Sequence, residues 1–413
     1  MRKLSLFMVM LMGMFTSQMS VAGNLELAGD HRGEALIVPF FSAQNNWETY
    51  LNIASDSKAL HIKFRSIVNG DVLASYNVYL GKAALFSMAM YSLENGRAML
   101  NFVDSSVGHN CIIGGVIDAP IRSYQNTSYQ SSVELEESSG SLEIYPISVV
   151  DGLNNCDAMV NLWQQGEQTT SVGLANTHGT LEGYVAIANV GRGLLSSYRA
   201  TALRGLNLPA EHFHPTLNNY DLSRAEGGIA AVADALSVAS LTNEVVQLKD
   251  INAATEWVVS YPLAGYMNHK PYTTDLGHTT QWCDSFGVYP TTSAEPAASV
   301  QVNQQQGVTA LQPQDTEYSP TRPAGLCHAV NVVGFGAEPV LADAGAENWV
   351  QAPRTLVDLL NGRASVLTWA LPAERTQPRV PMLGFRLTTF ENGTLDGGKV
   401  LANYSLLTPH KRD

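Results

Sequence analysis

The chain predicts a mainly β fold, built as antiparallel β-sandwich domains of the immunoglobulin-like kind with a few short helices. Three observations carry the expectation. Short runs alternate apolar and polar residues with a period of two, glycine and proline punctuate them (34 and 18 in 413 residues), and few stretches show a helical period.

The first clear strand begins at Leu60. Leu60, Ile62 and Phe64 fall on one face and His61, Lys63 and Arg65 on the other, the pattern of a half-buried strand. Val72 to Leu80 repeats it, with Val72, Ala74, Tyr76, Val78 and Leu80 on one side. Asn69-Gly70 lies between them and marks a hairpin. A two-residue loop would set Phe64 opposite Ser75, an apolar face against a polar one. A three-residue loop of Val68, Asn69 and Gly70 pairs Phe64 with Ala74, Ile62 with Tyr76 and Leu60 with Val78, so the longer loop is expected, with Gly70 left-handed.

Further strands are expected at Leu36 to Phe41, Thr49 to Ala54, Ser141 to Val150, Gly183 to Val190, Glu256 to Tyr261, Ala329 to Phe335, Ser365 to Ala370, Leu383 to Phe390 and Lys399 to Leu406. Asn392-Gly393 separates the last two and predicts a closing hairpin. Two helices are expected. Cys156 to Gln165 stops at Gly166, and a capping-box pair, Ser223 and Glu226, precedes Ile229, Val232, Ala233 and Leu236. Residues 291–325, rich in Thr, Ser, Gln and Pro, read as a long polar surface loop stapled at its base by Cys283 and Cys327. The expected organisation is a leader over 1–22, one β-sandwich region over 23–220 and a second β-rich region over 221–413 that contains this loop.

Met1-Arg2-Lys3, the apolar run Leu4 to Phe15 and the small residues Ser20 and Ala22 form the charged, apolar and small-residue order of a signal peptide, with cleavage expected after Ala22. The apolar run is shorter than the roughly 20 residues a membrane helix needs, so no membrane span is expected. Export places the chain on the cell surface or outside the cell, with the periplasm as the alternative.

Loss of Arg2 and Lys3 takes the formal charge from −13 to −15. A surface of that sign repels phosphate, so no nucleic-acid partner is expected. It suits a solvated exterior, or divalent cations bridging the chain to lipopolysaccharide. In an oxidising compartment Cys111, Cys156, Cys283 and Cys327 are disulfide candidates. Three pairings are open. Pairing neighbours would close two loops of about forty residues, each worth roughly 4 kcal/mol on chain-entropy grounds.

The motifs of high specificity are missing from the sequence: there is no G-x-S-x-G elbow, no H-E-x-x-H, no Walker loop, no dinucleotide glycine fingerprint and no EF-hand. No catalytic or cofactor-binding residue is expected. His212 and His214 share a strand face, but two imidazoles make no zinc site without a third ligand, and no metal residue is assigned. Glu134, Glu136 and Glu137 are the candidate carboxylates for calcium or a glycosidase pair, and a solvated charged edge is the preferred reading. Most of Trp47, Trp163, Trp257, Trp282, Trp349 and Trp369 are expected in the core.

Several stretches carry a resemblance: Gly33 to Phe41 followed by Trp47, Cys156 to Trp163, Glu256 to Pro262, Cys327 to Val332, Leu383-Gly384-Phe385, Asn403-Tyr404 and His410. Across nearly the whole mature chain they resemble a family of poorly characterised exported cell-surface proteins of Gram-negative proteobacteria, some regarded as surface-layer proteins. The Gln-rich stretch Asn303 to Gln306 departs from that pattern. The resemblance implies a β-rich, non-enzymatic structural protein that self-associates, in the fullest case as a surface layer. A carbohydrate-binding or adhesive protein and a secreted hydrolase are the alternatives.

Overall fold

The structure is a computed structural model. It describes residues 25–57, 59–80, 85–103, 111–116, 122–123, 130–147, 149–150, 174–175, 179–208, 221–238, 240–246, 252–267, 272–273, 279–280, 299–304, 307–310, 328–335, 338–343, 346, 348–351, 366–372, 380–395, 397 and 400–412. It is mainly β, with four large sheets whose strands pair antiparallel except Val330–Gly334 with Trp349–Gln351. Among the described residues no helix is long and apolar enough to cross a membrane.

The first sheet has eight strands, in the order Glu26–Leu27, Thr201–Arg204, Ala35–Ser42, Ser139–Pro146, Ala59–Ser66, Val72–Tyr79, Cys111–Val116 and Arg122–Ser123. The second has six: Gln130–Leu135, Ala98–Val103, Leu85–Ser92, Glu48–Ser55, Leu181–Asn189 and Leu194–Arg199. Their facing sides supply one core, in which Phe64 meets Tyr76 edge-on at 5.9 Å and Tyr76 meets Phe102 at 5.4 Å. Pro39 sits inside a buried strand, where its missing N–H would break a ladder. It is accommodated at a bulge, because Val38 pairs with Leu142 while Phe41 pairs with Gly140.

The third sheet runs Trp349–Gln351, Val330–Gly334, Ala253–Ser260, Leu383–Leu395 and Val400–Pro409. Its last strand lies beside the last strand of the second sheet, where Ser196 Oγ donates to Ser405 Oγ at 2.7 Å. The two sheets thus make one layer. Phe385 faces Phe40 of the first sheet at 6.2 Å and meets Tyr198 of its own layer at 4.7 Å, and Val258, Val332 and Leu387 join the same core. Each such side chain contributes about 2–3 kcal/mol by leaving water.

The opposite face of the third sheet takes the fourth, ordered Gly307–Ala310, Ser299–Gln304, Val366–Pro372, Ser240–Val246 and Lys411–Arg412. Here Trp257 Nε1 donates to Glu244 O at 3.3 Å and Thr255 Oγ1 to Val246 O at 2.7 Å. The chain's later part also grips the first sheet at its rim. Ala329 N and Val330 N donate to the carbonyls of Val68 and Ile67, and Trp47 Nε1 donates to Val340 O at 2.6 Å.

The expected strands occur with small shifts of boundary, except that Ser141 to Val150 divides into Ser139–Pro146 and Val149–Val150. The first hairpin pairs Leu60 with Val78, Ile62 with Tyr76 and Phe64 with Ala74, and Gly70 is left-handed at φ 76°. Its loop is longer than expected. Arg65 pairs with Val72, so Leu73 bulges out, and Ser66 N reaches Asp71 O around four loop residues.

Three further expectations are corrected. Asn392-Gly393 is a bulge inside Leu383–Leu395, between the Glu391–Asn403 and Thr394–Leu401 pairs, and the chain turns only after Leu395. Ser223 and Glu226 do not form a capping box. Asp221 accepts from Ser223 N and caps the short turn Leu222–Arg224, while helix Gly228–Leu236 starts at left-handed Gly227 without a side-chain cap. The polar stretch 291–325 is not one loop, since Ser299–Gln304 and Gly307–Ala310 pair with each other and extend the fourth sheet. The expected helix Cys156 to Gln165 lies outside the described residues.

Candidate functional site

The side of Ala59–Ser66 expected to meet water is buried. His61 and Lys63 are fully enclosed and Arg65 nearly so. Segments from the later part of the chain cover them. Under helix Gly228–Leu236 the cover is apolar, with Val232, Ala233 and Leu236 packed over Ile37, Leu203 and Leu222. Towards the middle of the sheet it is polar, supplied by Asp221 and by Tyr266 from the short helix Ala264–Met267.

Strand register assembles the rest. Lys63 lies between Glu143 and Ser75, and His61 between Tyr145 and Asn77, so alternation sets six polar side chains on one face. Glu143 is the hub. Its Oε1 lies 2.5 Å from Arg65 Nε, and its Oε2 accepts from Arg65 Nη2 at 3.1 Å, from Tyr266 OH at 2.6 Å and from Tyr145 OH. Arg65 also donates to Gly70 O at 2.8 Å and stacks its guanidinium 4.3 Å over the Tyr266 ring. Burial works against the Arg65 charge, but Glu143 and the neighbouring tyrosines more than offset it and hold its pKa above the ordinary value.

Burial raises both phenols, Tyr145 and Tyr266, well above the ordinary range, and the Glu143 charge adds to the effect. Lys63 Nζ sits 3.4 Å from Asp221 Oδ2; burial lowers its pKa and Asp221 acts against that. His61 is pushed down to about 3, by burial first and by the Lys63 charge second. It is therefore neutral at pH 7, with Nδ1 donating to Asn77 Oδ1 at 2.7 Å and the Asn77 amide reaching Tyr79 OH at 3.3 Å.

Two smaller buried polar centres lie in the third sheet. Glu256 accepts from Val340 N at 2.8 Å, Leu341 N at 2.7 Å and Trp349 Nε1 at 2.9 Å, yet burial still raises its pKa. His410 lies 4.6 Å from the Trp257 ring, with Nε2 bonded to Val258 O at 3.0 Å and Nδ1 to Asn243 Nδ2 at 3.1 Å. Burial pushes it down to about 3.

None of these centres was assigned from the sequence. The usable signal was charge at alternate positions of strongly apolar strands, as in His61, Lys63 and Arg65 or in Glu143 between Leu142 and Ile144. The sequence candidates fall elsewhere. Glu134 pairs with Arg97 at 3.1 Å on the exposed surface and accepts from Asn95, and these two hold its carboxyl below the usual range. Glu137 accepts from Ser66 Oγ and Ile67 N, both at 2.8 Å, so these two carboxylates are turned to different partners. Trp47 and Trp257 are core residues and Trp349 is half-buried. Cys111 opens the strand Cys111–Val116. Cys156, Cys283, Cys327, His212, His214, Trp163 and Trp282 lie outside the described residues.

Comparison of the chain with protein-family models, with curated proteins and with solved structures returns no match.

Proposed function

We propose that this chain is a non-enzymatic structural protein of the Gram-negative cell surface, exported by its leader and acting through rigidity and contact. One observation carries the reading: the largest buried group of titratable side chains among the described residues fastens one part of the fold to another. Glu143, Arg65 and Tyr145 belong to the first sheet and Tyr266 to the later part of the chain, and the Glu143 carboxylate joins all of them. A buried pair of this kind adds little net stability against a well-packed apolar alternative, but it penalises every arrangement that separates its members. That property suits a protein that must keep its shape in the open. The acidic balance and the resemblance to exported surface proteins support the same reading.

A sugar-binding or adhesive role is the second reading, favoured by the exposed ring of Tyr50 on an open sheet face. Protease treatment of intact cells tests the main proposal. A surface protein is cut while a cytosolic marker survives, and its N-terminus lacks residues 1–22. Recovery of the uncut chain from the cytosol with its leader attached overturns it.

A further inference from the structure

The outward face of the second sheet, with the strand beside it, carries most of the large apolar side chains exposed among the described residues. Along Glu48–Ser55 burial alternates strictly, with Thr49, Leu51, Ile53 and Ser55 inside and Tyr50, Asn52 and Ala54 outside. Strand register fills in the centre of that exterior. Tyr50 lies between Ala89 and Ala186, and in the next row Asn52 lies between Ser87 and Tyr184. Leu195, on the last strand of the sheet, is 64 % exposed, and Leu85, near the other side, is 43 % exposed.

The face continues past the sheet's edge as far as strand Val400–Pro409, beyond which the fourth sheet stands on the same side of the third. Ser196 and Ser405 meet on the inward side of the seam with the third sheet. Alternation therefore turns Leu195 outward on one strand and Tyr404 and Leu406 outward on the next. Tyr404 and Leu406 are about half exposed, and Tyr404 stacks on Phe390 at 4.5 Å. Six of the eight large apolar side chains exposed among the described residues share this one exterior.

We infer that a second copy of this chain docks on this exterior, sheet face against sheet face, and that the small residues at its centre receive the tyrosines of the partner. Three physical arguments select that occupant.

The first is charge. The whole chain carries −13, but the carboxylates of this face are internally engaged. Glu48 accepts from Tyr50 OH, Glu182 from Tyr184 OH at 2.6 Å with Arg199 at 3.5 Å, and Glu134 pairs with Arg97. Arginines offset Glu182 and Glu134 and leave Glu48 the one charge of the three without a cation, so two copies meet here with less like-charge repulsion than the acidic balance of the whole chain would impose.

The second is area. Six strands about 4.8 Å apart and about 26 Å long present roughly 600 Å² per copy, and the adjoining strand Val400–Pro409 adds to it. The total of about 1,200–1,500 Å² reaches the lower range of specific interfaces.

The third concerns the competing occupant. A sugar ring stacks on a free aromatic face and exchanges hydrogen bonds with free polar groups. Here the Arg199 guanidinium lies 5.0 Å over the Tyr184 ring, and both tyrosine hydroxyls already donate to glutamates. Leu195 and Leu406 offer a sugar hydroxyl nothing, whereas against an apolar copy they gain by burial.

This inference deepens the structural reading and rests on it. The experiment is sedimentation velocity of the mature chain over a concentration series, comparing wild type with Ala186→Arg, Leu195→Asp and, as a control exposed at the tip of the first hairpin, Val68→Asp. Wild type and Val68→Asp should associate with increasing concentration. The two face variants should weaken association at least tenfold, while their urea midpoints stay close to wild type and show that they fold. Association of Ala186→Arg and Leu195→Asp at wild-type strength overturns the proposal, as does loss of association in Val68→Asp. So does a wild-type monomer at about 100 µM, a ceiling of roughly 5–6 kcal/mol, and binding of that monomer to a glycan array through Tyr50 would assign the face to a sugar instead. Surface proteolysis separates the two claims: a protein cut on intact cells but monomeric fails only the docking inference, and one retained in the cytosol fails only the surface reading.

Discussion

The same three-residue pattern, Glu-x-Tyr, occurs on both sides of the main sandwich with opposite surroundings. In the first sheet Glu143 and Tyr145 are buried, and the hydroxyl donates to a carboxylate that also holds Arg65 and Tyr266. On the second sheet Glu48 with Tyr50 and Glu182 with Tyr184 make the same hydrogen bond at the surface. In each case a glutamate two residues before a tyrosine shares its strand face, so the local bond is a property of the strand. What differs is the cover: residues 221–236 and 263–267 lie over the first exterior, while the second is left open. A polar stripe is therefore no guarantee of solvent, and an apolar exposed stripe can mark a contact.

The comparison breaks most sharply at Glu143. Removing one member of a buried ion pair strands the other, at a cost of about 3–5 kcal/mol. Glu143→Gln should lower the urea-derived stability by that amount, because Arg65 keeps its charge at a site 4 % exposed. The double variant Arg65→Met with Glu143→Leu should recover about half of the loss, since it removes the stranded charge but leaves Tyr145 and Tyr266 without their acceptor. If the single and double variants are equally unstable, the pair is not what fastens this layer.

A second test uses protons. His61 and His410 are both held near pKa 3 by burial. Between about pH 3 and 6.5 the unfolded chain binds protons that the folded chain refuses, so each contribution is complete above pH 6.5 and is lost as the pH falls. The slope is about 1.4 kcal/mol per pH unit for each histidine. Urea melts between pH 5 and 7, above the main carboxylate range, should show it, and His410→Gln should remove about half. A flat profile over those two units would contradict the burial of both rings.

Much of this architecture can be read from period-two alternation, because a strand with one face in a core must keep its register: the pairs Leu60–Val78, Ile62–Tyr76 and Phe64–Ala74 follow from the sequence alone. The identity of the covering layer cannot. Alternation separates two faces without saying which is wet, and Asp221 and Tyr266 lie far from Lys63 and Glu143 along the chain. Local turn signals misled for a related reason. Asn392-Gly393 supports φ > 0, which a bulge uses as well as a turn, and the ladder between Leu383–Leu395 and Val400–Pro409 decided for the bulge. The strand Ser299–Gln304 was hidden by composition, although its valines alternate.

A third test is smaller and concerns the layer that joins the sheets. Glu256 Oε1 accepts from Val340 N and Trp349 Nε1, and Oε2 from Leu341 N. In Glu256→Gln the amide oxygen can replace only one carboxylate oxygen, so at least one N–H faces a donor instead of an acceptor. The loss should be about 1–3 kcal/mol, reduced at high pH because burial already disfavours the native charge. A variant as stable as wild type would mean that relief of the buried charge cancels the lost bond.

The smallest expected effect returns to the open sheet. Tyr50 is 38 % exposed and Tyr184 41 % exposed, and the hydrogen bond each makes to its glutamate competes with water. Tyr50→Ala should therefore change the stability of the isolated monomer by no more than about 0.5 kcal/mol, against about 4 kcal/mol for disrupting the buried Glu143–Tyr145 layer. That contrast tests the central distinction directly, because the two sites share residue types and spacing and differ only in cover. If Tyr50→Ala proves as costly as Glu143→Gln at concentrations where the chain is monomeric, the exterior of the second sheet is already covered within one molecule and has no room for a copy of itself.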